Sequence, residues 1–287
     1  MKRFREQLYN SCYVQEFEVN RILFEEKTGH HHLIIFENSL FGRVMALDGI
    51  IQTTEKDEFI YHEMLAHVPL FAHEKPERVL IVGGGDGGIL RETLRHRAVR
   101  HVTQVEIDRT VTELCREYLP GHSSGAFDDP RLDLVIDDGR DFVNSTDDKF
   151  DIIICDSTDP EGPGEALFSY EFYNGCKRCL RAGGVLVTQN GVCFMQMDEA
   201  RDSATHFRNI FSDYHFFSVA VPTYVGGIML LGWASDNRDL RRVPATVLKD
   251  RFQKAGFKTS YYNPEIHIAS FMLPEYVLEA IGKQDNG

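Results

Sequence analysis

The sequence lacks any apolar run long and clean enough to span a bilayer. Its longest candidate, residues 219–234, is interrupted by Pro222, Gly226 and Gly227. The first residues, MKRFREQLYNSCYVQEF, contain no apolar core of the secretory kind, so no signal peptide is expected and the cytoplasm is the expected compartment. Positive charge is scarce: 31 Lys and Arg stand against 44 Asp and Glu, a formal net charge of −13. That balance argues against a nucleic-acid backbone as partner and suits cationic small molecules. The six cysteines lie scattered at positions 12, 115, 155, 176, 179 and 193, which is no disulfide framework for 287 residues. Cys176 and Cys179 match C-x-x-C, but near the end of a helical segment, where nothing lowers a thiol pKa.

What the sequence does contain is organised around Arg78–Gly88, RVLIVGGGDGG. An apolar β-branched run breaks into glycines and then into an amphipathic segment. This reads as a buried parallel strand, a tight turn and a helix start. Gly83, Gly85 and Gly88 satisfy G-x-G-x-x-G, a fingerprint that is weak alone. Asp86 places a carboxylate where a ligand phosphate or carboxylate would otherwise sit. It reads either as a helix cap or as a contact for a cationic ligand group.

Residues 12–54 carry strand character, with expected strands at 13–24, 32–37, 43–47 and 50–54. His30, His31 and His32 resemble a metal tract, but side chains alternate along a strand and no further ligand cluster is near, so no metal site is expected. A helix over 57–71 follows. Its His62-Glu63 and His67 give H-E-x-x-x-H, one residue too long for the zinc peptidase motif. Beyond the glycine turn, strands and helices alternate to about residue 234, ending in a hairpin at Gly226-Gly227. The expected fold is therefore α/β, a Rossmann-like, doubly wound, mostly parallel sheet (residues 56–287) preceded by a small N-terminal antiparallel β-domain (residues 1–55).

Ligands of such sheets bind beyond the carboxyl ends of the strands. Acidic residues recur there: Asp86, Glu106, Asp137 and Asp138, then Asp156 and Asp159. Glu106 lies about 20 residues beyond Gly85, the spacing of a carboxylate that grips ribose hydroxyls. Asp138-Gly139 ends the next strand, where a carboxylate and an N–H can hold an adenine edge. Asp156-Ser-Thr-Asp159 enters a Pro/Gly loop, and two anions facing one pocket are costly without a cation. A diamine supplies the cation and, after losing a proton, a nucleophile. Asp156 is the candidate proton acceptor and Asp159 the candidate ammonium partner.

Together these residues resemble the spermidine synthase family of polyamine aminopropyltransferases. The resemblance is carried by LDGIIQTTEKDEFIYHEMLAH (47–67), VLIVGGGDGG (79–88), VEID (105–108), DDG (137–139), DSTDPEGPGEALF (156–168) and VPTYVGG (221–227). It implies transfer of the aminopropyl group of decarboxylated S-adenosylmethionine, a co-substrate, to putrescine, with no further cofactor. Spermidine and 5′-methylthioadenosine are the implied products. The alternatives are a different amine acceptor or an S-adenosylmethionine-dependent amine N-methyltransferase. By the same resemblance Asp156 is the base. His62, Asp86, Ser157, Thr158 and Asp159 are polyamine or aminopropyl contacts, with Tyr61, Gln52, Gln189 and Tyr224 nearby. Gly83, Gly85, Glu106, Asp138, Gly139 and Pro163 face the nucleoside. His31 stands where the family usually has Gln. A homodimer or homotetramer is implied, with small molecules rather than nucleic acid or membrane as partners.

Overall fold

The structure is a computed structural model that describes residues 2–9, 12–160 and 162–282, without the side chains of residues 162 and 163. The chain opens with β1 (Lys2–Leu8) and β2 (Tyr13–Val19), an antiparallel hairpin. A four-stranded antiparallel sheet follows: β3 (Arg21–Lys27), β4 (His32–Asn38), β5 (Gly42–Leu47) and β6 (Ile50–Thr54). The single strand expected over 13–24 is thus two strands in different sheets. The four-stranded sheet is buried on both faces. Ile34, Phe36, Val44 and Ala46 cluster with Phe17 and Val19 of the hairpin. Leu33, Ile35, Met45 and Leu47 pack on Val111, Leu114 and Cys115 of the following α/β part.

That part runs α1 (Glu58–Ala72), β7 (Arg78–Gly83), α2 (Gly88–Leu94), β8 (His101–Glu106), α3 (Arg109–Tyr118), α4 (Pro120–Ser123), β9 (Leu132–Ile136), α5 (Gly139–Ser145) and β10 (Phe150–Asp156). It continues with α6 (Tyr170–Cys179), β11 (Leu180–Val192), α7 (Met197–Ile210), β12 (Asp213–Val219), β13 (Met229–Ser235), α8 (Ala245–Ala255), α9 (Pro264–Ser270) and α10 (Glu275–Ile281). The strands form one seven-stranded sheet in the order β12-β13-β11-β10-β7-β8-β9. Pairs from β11 to β9 are parallel, and β13 is antiparallel to both β11 and β12. The fold is the doubly wound, Rossmann-like sheet expected, closed at one edge by the expected hairpin.

The apolar runs of the central strands follow from burial on both sides. Val79 and Ile81 of β7, with Ile152 and Ile154 of β10, join the cluster under α1 and α2. Leu80, Val82, Ile153 and Cys155 face the other way, towards Phe172 and Tyr173 of α6 and Phe207 of α7. Cys176 and Cys179 are buried in that second cluster, and all six cysteines are free thiols.

The chain leaves β7 on one side towards β8 and β9, and returns on the other side at β10. A crevice opens at that reversal, beyond the strand ends. The register sets Asp156 beside Gly83 there. A Cβ on Gly83 would lie 2.1 Å from the Asp156 carbonyl oxygen, and its φ of +82° is one that glycine adopts freely.

Candidate active site

A cavity of about 1310 Å³ occupies the crevice and is roofed by the N-terminal strands. Every site residue expected from the sequence lines it except Pro163, whose side chain lies outside the described residues. His31, Gln52, Tyr61, His62, Gly83, Gly85 and Asp86 share the cavity with Glu106, Asp138, Gly139, Asp156, Ser157, Thr158, Asp159, Gln189 and Tyr224. Asp86, Asp156 and Asp159 therefore face one space.

Asp156 ends β10, and the Tyr61 hydroxyl of α1 donates to its Oδ1 at 2.6 Å. Burial, then the charge of Asp86, push the Asp156 carboxyl up to about 6, against the opposing pull of His62 and the Tyr61 hydrogen bond. A carboxyl poised there is ionised at neutral pH yet basic enough to accept a proton. Tyr61 stands edge-on to Tyr224, ring centroids 5.9 Å apart, and Tyr224 donates its hydroxyl proton to the Gln52 carbonyl at 2.5 Å.

Asp159 lies in the loop after β10. Gln189 Nε2 donates to its Oδ1 at 3.1 Å and Gln196 Nε2 to its Oδ2 at 2.9 Å. Gln189 also donates to the Ser157 carbonyl at 3.3 Å and accepts the Gly191 N–H. These amides hold Asp159 over the strand end.

Asp86 is both a cap and a cavity residue. Its Oδ1 accepts the N–H of Gly88, the first residue of α2, at 2.7 Å, and its Oδ2 lies 3.3 Å from His62 Nε2. One oxygen thus takes the helix N–H that the sequence allowed for, and the other meets a side chain of the protein itself. Burial alone would raise Asp86, but the His62 charge and hydrogen bond outweigh it and hold it below the usual carboxylate range. Asp86 reaches the cavity already paired with a histidine. His62 is 3% exposed, and a Cβ on Gly88 would come within 2.2 Å of its ring, so the third glycine of the fingerprint makes room for an imidazole.

Towards the β8 and β9 end of the cavity, Glu106 ends β8 and accepts the Asp108 N–H at 3.0 Å. Burial raises its carboxyl to about 7. Asp138 caps α5 by accepting from Arg140 N at 2.8 Å, next to buried Gly139. His31 is buried, with Nδ1 2.9 Å from Asp48 Oδ2. The H-E-x-x-x-H residues do not converge. Glu63 accepts the N–H groups of Ser260, Tyr261 and Tyr262, tying down the link before α9, while His67 sits against Glu92 and His96. Among the described residues no group of three or more His, Cys, Asp or Glu side chains is arranged to hold a metal ion.

Several lining residues carry no sequence signal of their own. Glu6 and Tyr9 come from the N-terminal hairpin, and Gln196 and Glu199 from the start of α7. Glu6 is buried, accepts the Ile51 N–H at 2.8 Å and the Gln15 amide at 2.5 Å, and is raised by desolvation. Asp57 joins the same roof to the core, taking the Thr54 hydroxyl on one oxygen and the Thr223 N–H and hydroxyl on the other.

Residues 58–243 match the Spermine/spermidine synthase domain, and residues 4–55 match the Spermidine synthase tetramerisation domain. The chain is 58% identical over 286 residues to polyamine aminopropyltransferase 1 of Pseudomonas aeruginosa, with 100% of each covered. It is 56% identical over 286 residues to the polyamine aminopropyltransferase of Pseudomonas syringae pv. tomato, again with 100% of each covered. A crystal structure of spermidine synthase in complex with the transition-state analogue AdoDATO superposes with a TM-score of 0.93 at 38% identity, covering 99% of this chain and 96% of that one. Spermidine synthase from Thermotoga maritima gives 0.90 at 36% identity, covering 99% and 95%.

Proposed function

The chain belongs to the spermine/spermidine synthase family, and from that premise we propose that its cavity transfers the aminopropyl group of decarboxylated S-adenosylmethionine to putrescine. The observation that carries the reading is the convergence of Asp86, Asp156 and Asp159 on one cavity, with Asp156 held near neutrality.

In this reading putrescine enters as a dication between Asp156 and Asp159. An alkylamine has a pKa of about 10, so the attacking amine must first give up a proton, and Asp156 accepts it. The free amine attacks the terminal aminopropyl carbon bonded to sulfur. A C–N bond forms as the C–S bond breaks, and the sulfonium leaves as the neutral thioether of 5′-methylthioadenosine. The donor's positive charge is carried off on the new secondary amine of spermidine. Little else is needed beyond holding the two partners in line.

Glu106 takes the ribose hydroxyls, and Asp138 with the Gly139 N–H takes the adenine edge. The backbone at Gly83 and Gly85 lets the nucleoside lie close. Gln52, Tyr61, Gln189 and Tyr224 line the amine path with Ser157 and Thr158. His31 Nδ1 is engaged by Asp48, so Nε2 is the nitrogen that meets the nucleoside. Residues 1–55 act as an assembly and roofing domain, residues 56–287 as the catalytic domain, and the protein works as a cytoplasmic homotetramer. No helix among the described residues is long and apolar enough to cross a membrane.

The test is product analysis by mass detection with the decarboxylated donor and a panel of putrescine, cadaverine and spermidine. Stoichiometric methylthioadenosine and spermidine, fastest with putrescine, are expected. Methylated amine from intact S-adenosylmethionine, or binding without turnover, would overturn the reading.

A further inference from the structure

Behind the cavity wall lies a row of alternating charges that the reaction scheme leaves without a task. Arg91 of α2 grips Glu58 of α1 with both terminal nitrogens, Nη1 to Oε1 at 3.1 Å and Nη2 to Oε2 at 2.9 Å. Glu58 Oε2 in turn lies 2.5 Å from His62 Nδ1, and the far nitrogen of the ring faces Asp86 Oδ2 at 3.3 Å. An imidazole with a carboxylate oxygen at each nitrogen has two acceptors to satisfy, and only the doubly protonated ring donates to both.

We propose that Glu58 and Arg91 are positioning residues for the transfer: they hold His62 as an imidazolium between two carboxylates, so that the cavity carries a resident cation next to its amine-binding aspartates. This rests on the aminopropyl-transfer reading above.

Arg91 is itself fixed on every side. Its Nε donates to Glu92 at 2.8 Å and its Nη1 to the carbonyls of Gly121 and His122 at 3.0 and 2.7 Å. A bidentate guanidinium so anchored pins the Glu58 carboxylate in the plane needed by the histidine. The other groups facing the ring do not compete for its protons. Tyr61, from the same helix, presents its ring edge-on, and its hydroxyl is committed to Asp156. His122 of α4, 6.0 Å away by ring centroid, has Nε2 2.8 Å from the Thr53 hydroxyl and is lowered by burial. Burial works against a charge on His62, but Asp86 and Glu58 outweigh it and raise the ring.

The device has a consequence for the base. Asp86 raises Asp156 and His62 lowers it, so the imidazolium offsets part of the repulsion between two buried carboxylates. Without a charged His62, Asp156 would be protonated over more of the neutral range.

Ring-nitrogen NMR of ¹⁵N-histidine-labelled protein reads the charge directly, with the His62 signal assigned by its absence from His62→Gln. A doubly protonated ring persisting to pH 8 is expected; a neutral ring at pH 7 would overturn the proposal. The functional arm follows kcat against pH, with saturating donor and putrescine. Glu58→Gln keeps the shape and an acceptor but removes the charge, and should move the acid limb upward by roughly half to one unit. In a His62→Gln background the same change should leave the limb in place. An equal shift in both backgrounds, or none in either, contradicts the proposal. If Glu58→Gln does not fold, the spectrum of the unaltered protein decides. Absence of methylthioadenosine from the unaltered enzyme would instead sink the transfer reading, and the ring spectrum would still judge the imidazolium.

Discussion

Replacing Tyr61 by Phe deletes one hydroxyl, and its effect on turnover should depend on pH in a defined direction. The hydroxyl donates to Asp156 Oδ1 at 2.6 Å in a buried setting and is one of the groups that hold that carboxyl down. A hydrogen bond to a charged group is worth about 1.5–3 kcal/mol, which corresponds to about 1–2 pKa units. Asp156 should therefore rise from about 6 by that amount in the variant. Turnover at saturating substrate follows the ionised fraction of the base. For a shift of about 1.5 units kcat is nearly unchanged at pH 9 and falls about 15-fold near pH 6. Bound amine lowers the base in both proteins, so the separation between the two profiles is the informative quantity. The assay is methylthioadenosine release from pH 5.5 to 9.5, with donor binding followed by calorimetry. A fall of equal size at every pH, or superimposable profiles, would refute the reasoning.

Asp156→Asn removes the proposed proton acceptor and should lower kcat by about 10²–10⁴-fold, with donor affinity retained in calorimetry. The same variant tests linkage. A carboxyl raised from its ordinary 3.8 to about 6 on folding weakens the fold as pH climbs through that window. The amide should therefore stabilise the protein above pH 6, by up to about 3 kcal/mol, with the gain shrinking towards pH 4 in urea unfolding curves. Asp86→Asn leaves the His62 ring without its partner at the cavity wall. Because the Asp86 carboxylate would repel the carboxylate of intact S-adenosylmethionine, the amide should narrow the preference for the decarboxylated donor in competitive binding, and an unchanged ratio counts against that repulsion. Gly88→Ala sets a methyl 2.2 Å from the His62 ring and should cost activity at least tenfold by displacing the imidazole, as initial rates would show.

The sheet and most of the cavity are legible in the sequence because burial on both faces writes continuous apolar runs. The runs of the central strands end at the crevice, where the acids at Asp86, Glu106, Asp138 and Asp156 stand out against them. Only half of the N-terminal hairpin is legible: β2 falls within the strand expected over 13–24, and β1 lies outside every expected strand. The one buried side chain of β1 is Glu6, so no apolar alternation marks that strand. Glu6 and Tyr9 consequently have no sequence signal. Asp86 shows the limit of reading one position at a time: cap and ligand contact look like alternatives on the chain, whereas one oxygen takes the Gly88 N–H and the other meets His62. Glu58 and His62, four apart, look like an ordinary surface helix pair. Their role depends on Arg91, which only the packing of α2 against α1 brings within reach. In the link between α8 and α10, the short α9 rests on a Pro at its first turn and on Glu63, a partner nearly 200 residues away.

The most direct test of the account is a crystal structure with putrescine and methylthioadenosine bound together. The attacking nitrogen should lie within about 2.6–3.2 Å of Asp156, with the second ammonium towards Asp159 and the ribose hydroxyls on Glu106. A diamine lodged away from Asp156, or a nucleoside turned from Glu106, would contradict it.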